Sequence, residues 1–174
     1  MNILILIIIG AAFIGLKFWY ASAGTDSLAF LLDTTAAVVR LVTGCTSRFI
    51  EGQGHYFSQL DMIISKPCSG FNFLLLCSLM LSIHTFISMD RTIWKIASIS
   101  LVPLLSLVIT ILANASRICY SVLLGPLMES QRFSAETIHE SIGVFCYLAF
   151  LISSFLITDK LISKISNNEC STES

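Results

Sequence analysis

Acyl transfer needs a nucleophile, a fixed cation and a proton carrier. One residue of each kind stands out in this chain: Cys68 in "ISKPCSGFNF" (64–73), Arg117 in "NASR" (114–117) and His139 in "HESIG" (139–143). Cys68 lies between Pro67 and a Ser-Gly pair, just ahead of a long apolar run. That placement predicts a helix start, for which Pro67 is suited. The free amide hydrogens and dipole of a helix N-terminus favour a thiolate over a thiol. Arginine cannot act as a base, but its guanidinium steadies a thiolate or a developing oxyanion. Asn114, three residues earlier, shares its helix face and is expected to support it. An imidazole takes and returns a proton, and Glu136, three residues before His139, is placed to orient the ring.

Each residue alone has an ordinary explanation. Cys68 fits an inert buried thiol, Arg117 a snorkelling charge, Asn114 a helix–helix contact and His139 an interfacial polar residue. Their shared depth is what argues for chemistry, and depth follows from the elements that carry them.

Those elements belong to a membrane. The chain has 174 residues, enough for one ordinary domain, with 55% hydrophobic and only 12% charged residues, against about 25% charged in a soluble protein. Its apolar runs are long enough to span a bilayer. Residues 2–20 form one run, closed by Lys17, Trp19 and Tyr20 as an interfacial end. Ala21-Ser22-Ala23 resembles a signal-peptidase site. No basic region precedes that run, so it reads as a retained helix. Further spans are expected at 69–88, at 93 to about 113, and from Ser134 to about Thr158. Ser134 reads as an N-cap, with Phe133 and Ile138 placed as a staple. Helical pattern continues from 93 to Leu124, about 48 Å against a hydrocarbon core of about 30 Å. That helix must tilt, protrude or break at 113–116, and Gly125-Pro126 is expected to end it.

Two stretches are less regular. Asp33 and Arg40 interrupt residues 25–44, leaving either an interfacial helix or one packed in the bundle. Residues 51–66 read as a small β-hairpin or loop. The expected architecture is an all-α polytopic membrane protein of four to five transmembrane helices, with an interfacial helix and a short extracytoplasmic hairpin or loop. Residues 1–158 form the single membrane domain and 159–174 a polar cytoplasmic tail.

Basic residues set orientation. Arg91 and Lys95 mark one loop, and Lys160 and Lys164 mark the tail. Both fall on one side, expected to be cytoplasmic, which puts Cys68 and residues 125–137 outside. His84 is 16 residues past Cys68, roughly 24 Å deeper, too far to join them. His55 remains a possible second-rank participant. The six cysteines contain no C-x-x-C pair, which argues against zinc ribbons and thioredoxin-like chemistry. No metal or cofactor is expected, and no basic stripe points to nucleic acid.

With "PCSG" at 67–70, "NASR" at 114–117 and "HESIG" at 139–143, the sequence resembles the exosortase/archaeosortase family over roughly residues 25–158. The short length resembles a compact member such as exosortase K. The resemblance implies a membrane-embedded cysteine transpeptidase of the bacterial inner membrane. Its partner would be a protein substrate ending in a short motif, a transmembrane helix and a basic tail. It implies Cys68 as nucleophile, Arg117 as stabilising cation and His139 as proton carrier. Many family members have about eight spans, so what the extra spans contribute elsewhere is in doubt here. A hydrolytic intramembrane thiol protease, a non-enzymatic membrane subunit and a thiol-redox carrier are the competing readings.

Overall fold

Apolar length decides most of this architecture. The computed structural model describes residues 2–89, 92–129 and 135–172, with side chains for 3–89, 93–124 and 140–165. Helix α1 is Asn2–Ser22, α2 Ala29–Thr43, α3 Phe71–Ser88, α4 Thr92–Glu129 and α5 Ala135–Thr172. Among the described residues, four segments are long and apolar enough to cross a membrane: Ile3–Ser22, Lys66–Ser88, Ile93–Leu124 and Glu140–Ile165.

Helix α2 is not one of them. Its 15 residues rise about 22 Å, short of the hydrocarbon core of about 30 Å. Leu31, Leu32, Thr35, Ala36 and Val39 form a buried stripe at helical spacing, packed against α4. Asp33 and Arg40 lie off that stripe and are exposed, so neither charge is forced into the core. Gly44, left-handed at φ 71°, closes the helix.

Residues 48–64 form a three-stranded antiparallel sheet where a hairpin or loop was expected: β1 Arg48–Ile50, β2 Gly54–Phe57 and β3 Met62–Ile64, in sequence order. His55 stands opposite Phe49 on one side and Ile64 on the other. Alternation along β2 puts His55 and Phe57 on one face; both are buried, and β2 packs against α2.

Helix α4 runs without interruption through residues 113–116. Ala113, Asn114 and Ala115 are buried there, and small side chains let neighbouring helices pack closely against an unbroken helix. It also continues past Gly125-Pro126 to Glu129, where a stop was expected. A proline near a helix end removes a single donor. Likewise α5 extends beyond Thr158 to Thr172, so the stretch read as a polar tail is helical. The turn expected around Arg91, and the cap and staple at Ser134 and Phe133, lie outside the described residues.

Two apolar clusters hold the bundle. At the sheet end, Leu31, Leu32 and Val39 of α2 pack with Phe57, Phe71 and Ile118. Further along, Phe73, Cys77 and Leu81 of α3 pack with Ala113 of α4 and Tyr147 of α5. Helix α1 is peripheral, and none of its apolar window is buried. It leans on α3 and bounds an apolar groove of about 580 Å³ with α3 and α4, lined by Phe13, Phe71, Leu75, Ser82, Phe86 and Leu104 among others.

Candidate active site

Cys68 lies in a single 3-10 turn, Lys66–Ser69, and not in α3 itself, which starts at Phe71. Pro67 is the second residue of that turn, and the Cys68 amide donates to the Ser65 carbonyl at 2.8 Å. Gly70, left-handed at φ +73°, then redirects the chain into α3. A Cβ at Gly70 would stand 3.1 Å from Thr110 Cγ2 and 3.3 Å from Asn114 Cβ. Only glycine meets both demands. The expected helix start is therefore displaced by one tight turn, which leaves Cys68 half-buried at the mouth of the span.

Asn114 locks this turn from α4. It is fully buried. Its Nδ2 donates to the Cys68 carbonyl at 2.5 Å and, at the long distance of 3.5 Å, to Thr35 Oγ1 of α2. Its Oδ1 accepts from the Tyr147 hydroxyl of α5 at 2.8 Å. One amide thus joins α2, α4, α5 and the Cys68 turn.

Arg117 stands one helical turn beyond Asn114 and is 9% exposed. Its guanidinium carbon lies 5.5 Å from the centre of the Tyr147 ring, within cation–π range. Phe73 stacks on the same ring, at 4.7 Å between centres and 14° between planes. Among the described residues, Arg117 Nε and Nη2 have no hydrogen-bond partner. A buried cation with idle donors is costly, and such orphans mark function more often than neglect. Gly143 makes room for it, since a Cβ there would stand 3.1 Å from Arg117 Cδ.

Glu136 and His139 fall in the first turns of α5, and their side chains lie outside the described residues. The backbone still fixes the register. His139 is four residues before Gly143, about 6 Å along the axis on the same face, and Gly143 faces Arg117.

The other histidines are engaged elsewhere. His55 Nε2 lies 2.7 Å from Asp33 Oδ1, and Ser47 Oγ lies 3.4 Å from its Nδ1. This ties the sheet to α2. His84 Nε2 is 3.4 Å from Asp159 Oδ1, an ion-pair distance without hydrogen-bond geometry. Cys77 and Cys146 are buried free thiols. No cluster of His, Cys, Asp and Glu able to hold a metal occurs among the described residues.

The C-terminal end of α1 is fastened around the cysteine turn. Lys66 Nζ donates to the carbonyls of Ala23 at 2.6 Å and Ala21 at 3.3 Å, while the Tyr20 hydroxyl donates to the Lys66 carbonyl at 3.3 Å. Tyr20 stacks on Phe71 at 4.9 Å, and Lys17 Nζ donates to Asn72 Oδ1.

The structure thus brings Cys68, Asn114 and Arg117 to one end of the bundle. Thr35, Gly70, Gly143 and Tyr147 complete the arrangement and were not singled out from sequence. The readable signal was the spacing of four from His139 to Gly143 to Tyr147, one face of one helix. The family model for transmembrane exosortases (Exosortase_EpsH) matches residues 3–157. No curated protein and no solved structure matches the chain.

Proposed function

The chain belongs to the transmembrane exosortase family, and on that premise we propose that it is a cysteine transpeptidase acting at the outer face of a bacterial inner membrane. The observation that carries this is the buried Arg117, with Nε and Nη2 idle, one turn from the residue that holds the Cys68 turn. In this reading Cys68 attacks the scissile carbonyl of a protein substrate, and Arg117 stabilises the oxyanion. His139 takes the thiol proton and returns it to the leaving amine. The resulting thioester is released by an acceptor nucleophile, restoring the thiol. Glu136 orients the imidazole. The outward orientation follows from the basic residues Lys95, Lys160 and Lys164 at the opposite end. We read the compact four-span frame as that of the short family members, exosortase K among them.

The substrate class is an exported protein ending in a short motif, an apolar helix and a basic tail. The apolar groove beside α1 supports a partner of this kind, because it runs at bilayer depth from Phe71 to Phe86. The test is co-expression with an exported reporter that ends in such a signal. Mass spectrometry is expected to find the reporter shortened at the motif and joined to an acceptor. A shortened reporter with a free carboxylate would make the enzyme a hydrolase. An intact reporter alongside properly inserted chain would leave a non-enzymatic subunit.

Arg117 is expected to act by geometry as well as charge. Its guanidinium offers parallel donors where lysine offers a point charge, and loss of one oxyanion donor typically costs about 10²–10³ in rate. Arg117→Lys should insert normally and process the reporter about 10²-fold more slowly or worse. Arg117→Ala should do no better. Near-normal rates for the lysine variant at matched membrane levels would reduce Arg117 to a bare charge.

A further inference from the structure

Tyr147 makes two contacts that are chemically separate. Its hydroxyl donates to Asn114 Oδ1 at 2.8 Å, and its ring face lies 5.5 Å from the Arg117 guanidinium carbon. The hydrogen bond has a consequence for Asn114. The Cys68 carbonyl only accepts, so the Asn114 amide must turn Nδ2 toward it. Oδ1 then points the other way, into a site with no water-facing surface, since Asn114 is fully buried. It needs a donor there, and among the described residues the Tyr147 hydroxyl is the donor it has. Without that hydroxyl, Oδ1 is left unsatisfied in a buried site, the amide loses one of the bonds that fix it, and the Cys68 turn is held to α4 less firmly.

We propose that Tyr147 is a positioning residue for the reaction: its hydroxyl fixes Asn114, and through it the Cys68 turn, while its ring carries Arg117. One side chain of α5 thereby sets the nucleophile and the cation relative to each other. This deepens the transpeptidase reading and rests on it for its consequence in turnover, though not for its consequence at Cys68. Phe73 also stacks on this ring, so Tyr147→Phe, which keeps the ring, keeps both the stack and the cation contact and removes only the donor.

The experiment is a double-mutant cycle of Tyr147→Phe and Asn114→Ala, read in two ways in native membranes. The first readout is the rate of iodoacetamide alkylation at Cys68, measured by peptide mass spectrometry. Tyr147→Phe is expected to raise it about tenfold, the scale of one lost buried hydrogen bond. The double variant should match Asn114→Ala alone, because both act on one link. The second is reporter processing, with kcat falling about tenfold, KM within about twofold, membrane abundance unchanged and Tm lower by only a few degrees, the cost of one lost buried hydrogen bond. Unaltered Cys68 alkylation in Tyr147→Phe, or multiplicative effects of the two substitutions, overturns the proposal. So does a loss of processing that merely follows abundance or Tm. If the wild-type chain leaves the reporter intact, the transpeptidase reading fails. The alkylation cycle still decides whether Tyr147 positions Cys68.

Discussion

Cys68→Ser is expected to reduce reporter processing to background while the chain inserts at its normal level. The structure makes this substitution unusually clean. The links that hold the Cys68 turn run through its backbone: its amide to the Ser65 carbonyl, and its carbonyl to Asn114 Nδ2. A serine keeps both and replaces a single atom. What changes is the nucleophile, because a thiolate is accessible near neutral pH and an alkoxide is not. Reactivity and accessibility should also go together. A membrane-impermeant maleimide applied from outside should label half-buried Cys68 faster than buried Cys77 or Cys146. Processing by the serine variant at the normal rate would remove Cys68 from the chemistry. Equal protection of all three thiols would place it in the core.

His139→Ala should also bring turnover to the detection floor, whereas His84→Ala should leave it nearly intact. General acid–base catalysis contributes about 10²–10⁴-fold, and a thiol enzyme without a proton carrier loses both the activation of its nucleophile and the protonation of its leaving group. Helix register separates the two histidines. His139 precedes Gly143 by one turn, and Gly143 lies against Arg117. His84 pairs with Asp159, and Asp159 is 20 residues beyond His139 in the same helix, about 30 Å away. The measurement is reporter processing by each variant at matched membrane levels. An essential His84 with a dispensable His139 would place the reaction at the other end of the bundle.

Much of this was legible in the residues because membrane proteins expose their logic as length and polarity. The apolar runs had to be spans, and Cys68, Asn114 and Arg117 had to share a depth, because a helix converts residue count into distance. Local backbone choices were harder to read. Nothing in "PCSG" distinguishes a helix start from a 3-10 turn until α4 is seen against Gly70, where Thr110 and Asn114 fill the space a Cβ would need. Gly125-Pro126 looked like a stop because local propensity says so, yet α4 continues. The partners of Asn114 were beyond reach for another reason. Thr35 is 79 residues away and Tyr147 33, and no local pattern encodes which of several buried hydroxyls meets an amide. The sheet was seen as strand-like only in part, because its first strand, Arg48–Ile50, lies ahead of the polar segment that drew attention.

The chain's order of manufacture meets its architecture in Tyr147. A ribosome delivers α1 through α3, with the thiol turn, before α4 brings Asn114 and Arg117, and α5 comes last. Until α5 is threaded beside them, Asn114 Oδ1 lacks the hydroxyl it accepts from and Arg117 lacks the ring it rests on. A nascent chain therefore carries the proposed nucleophile, Cys68, before the Tyr147 contacts to Asn114 and Arg117 can form. On the proposed reading, synthesis of α5 is what arms the site.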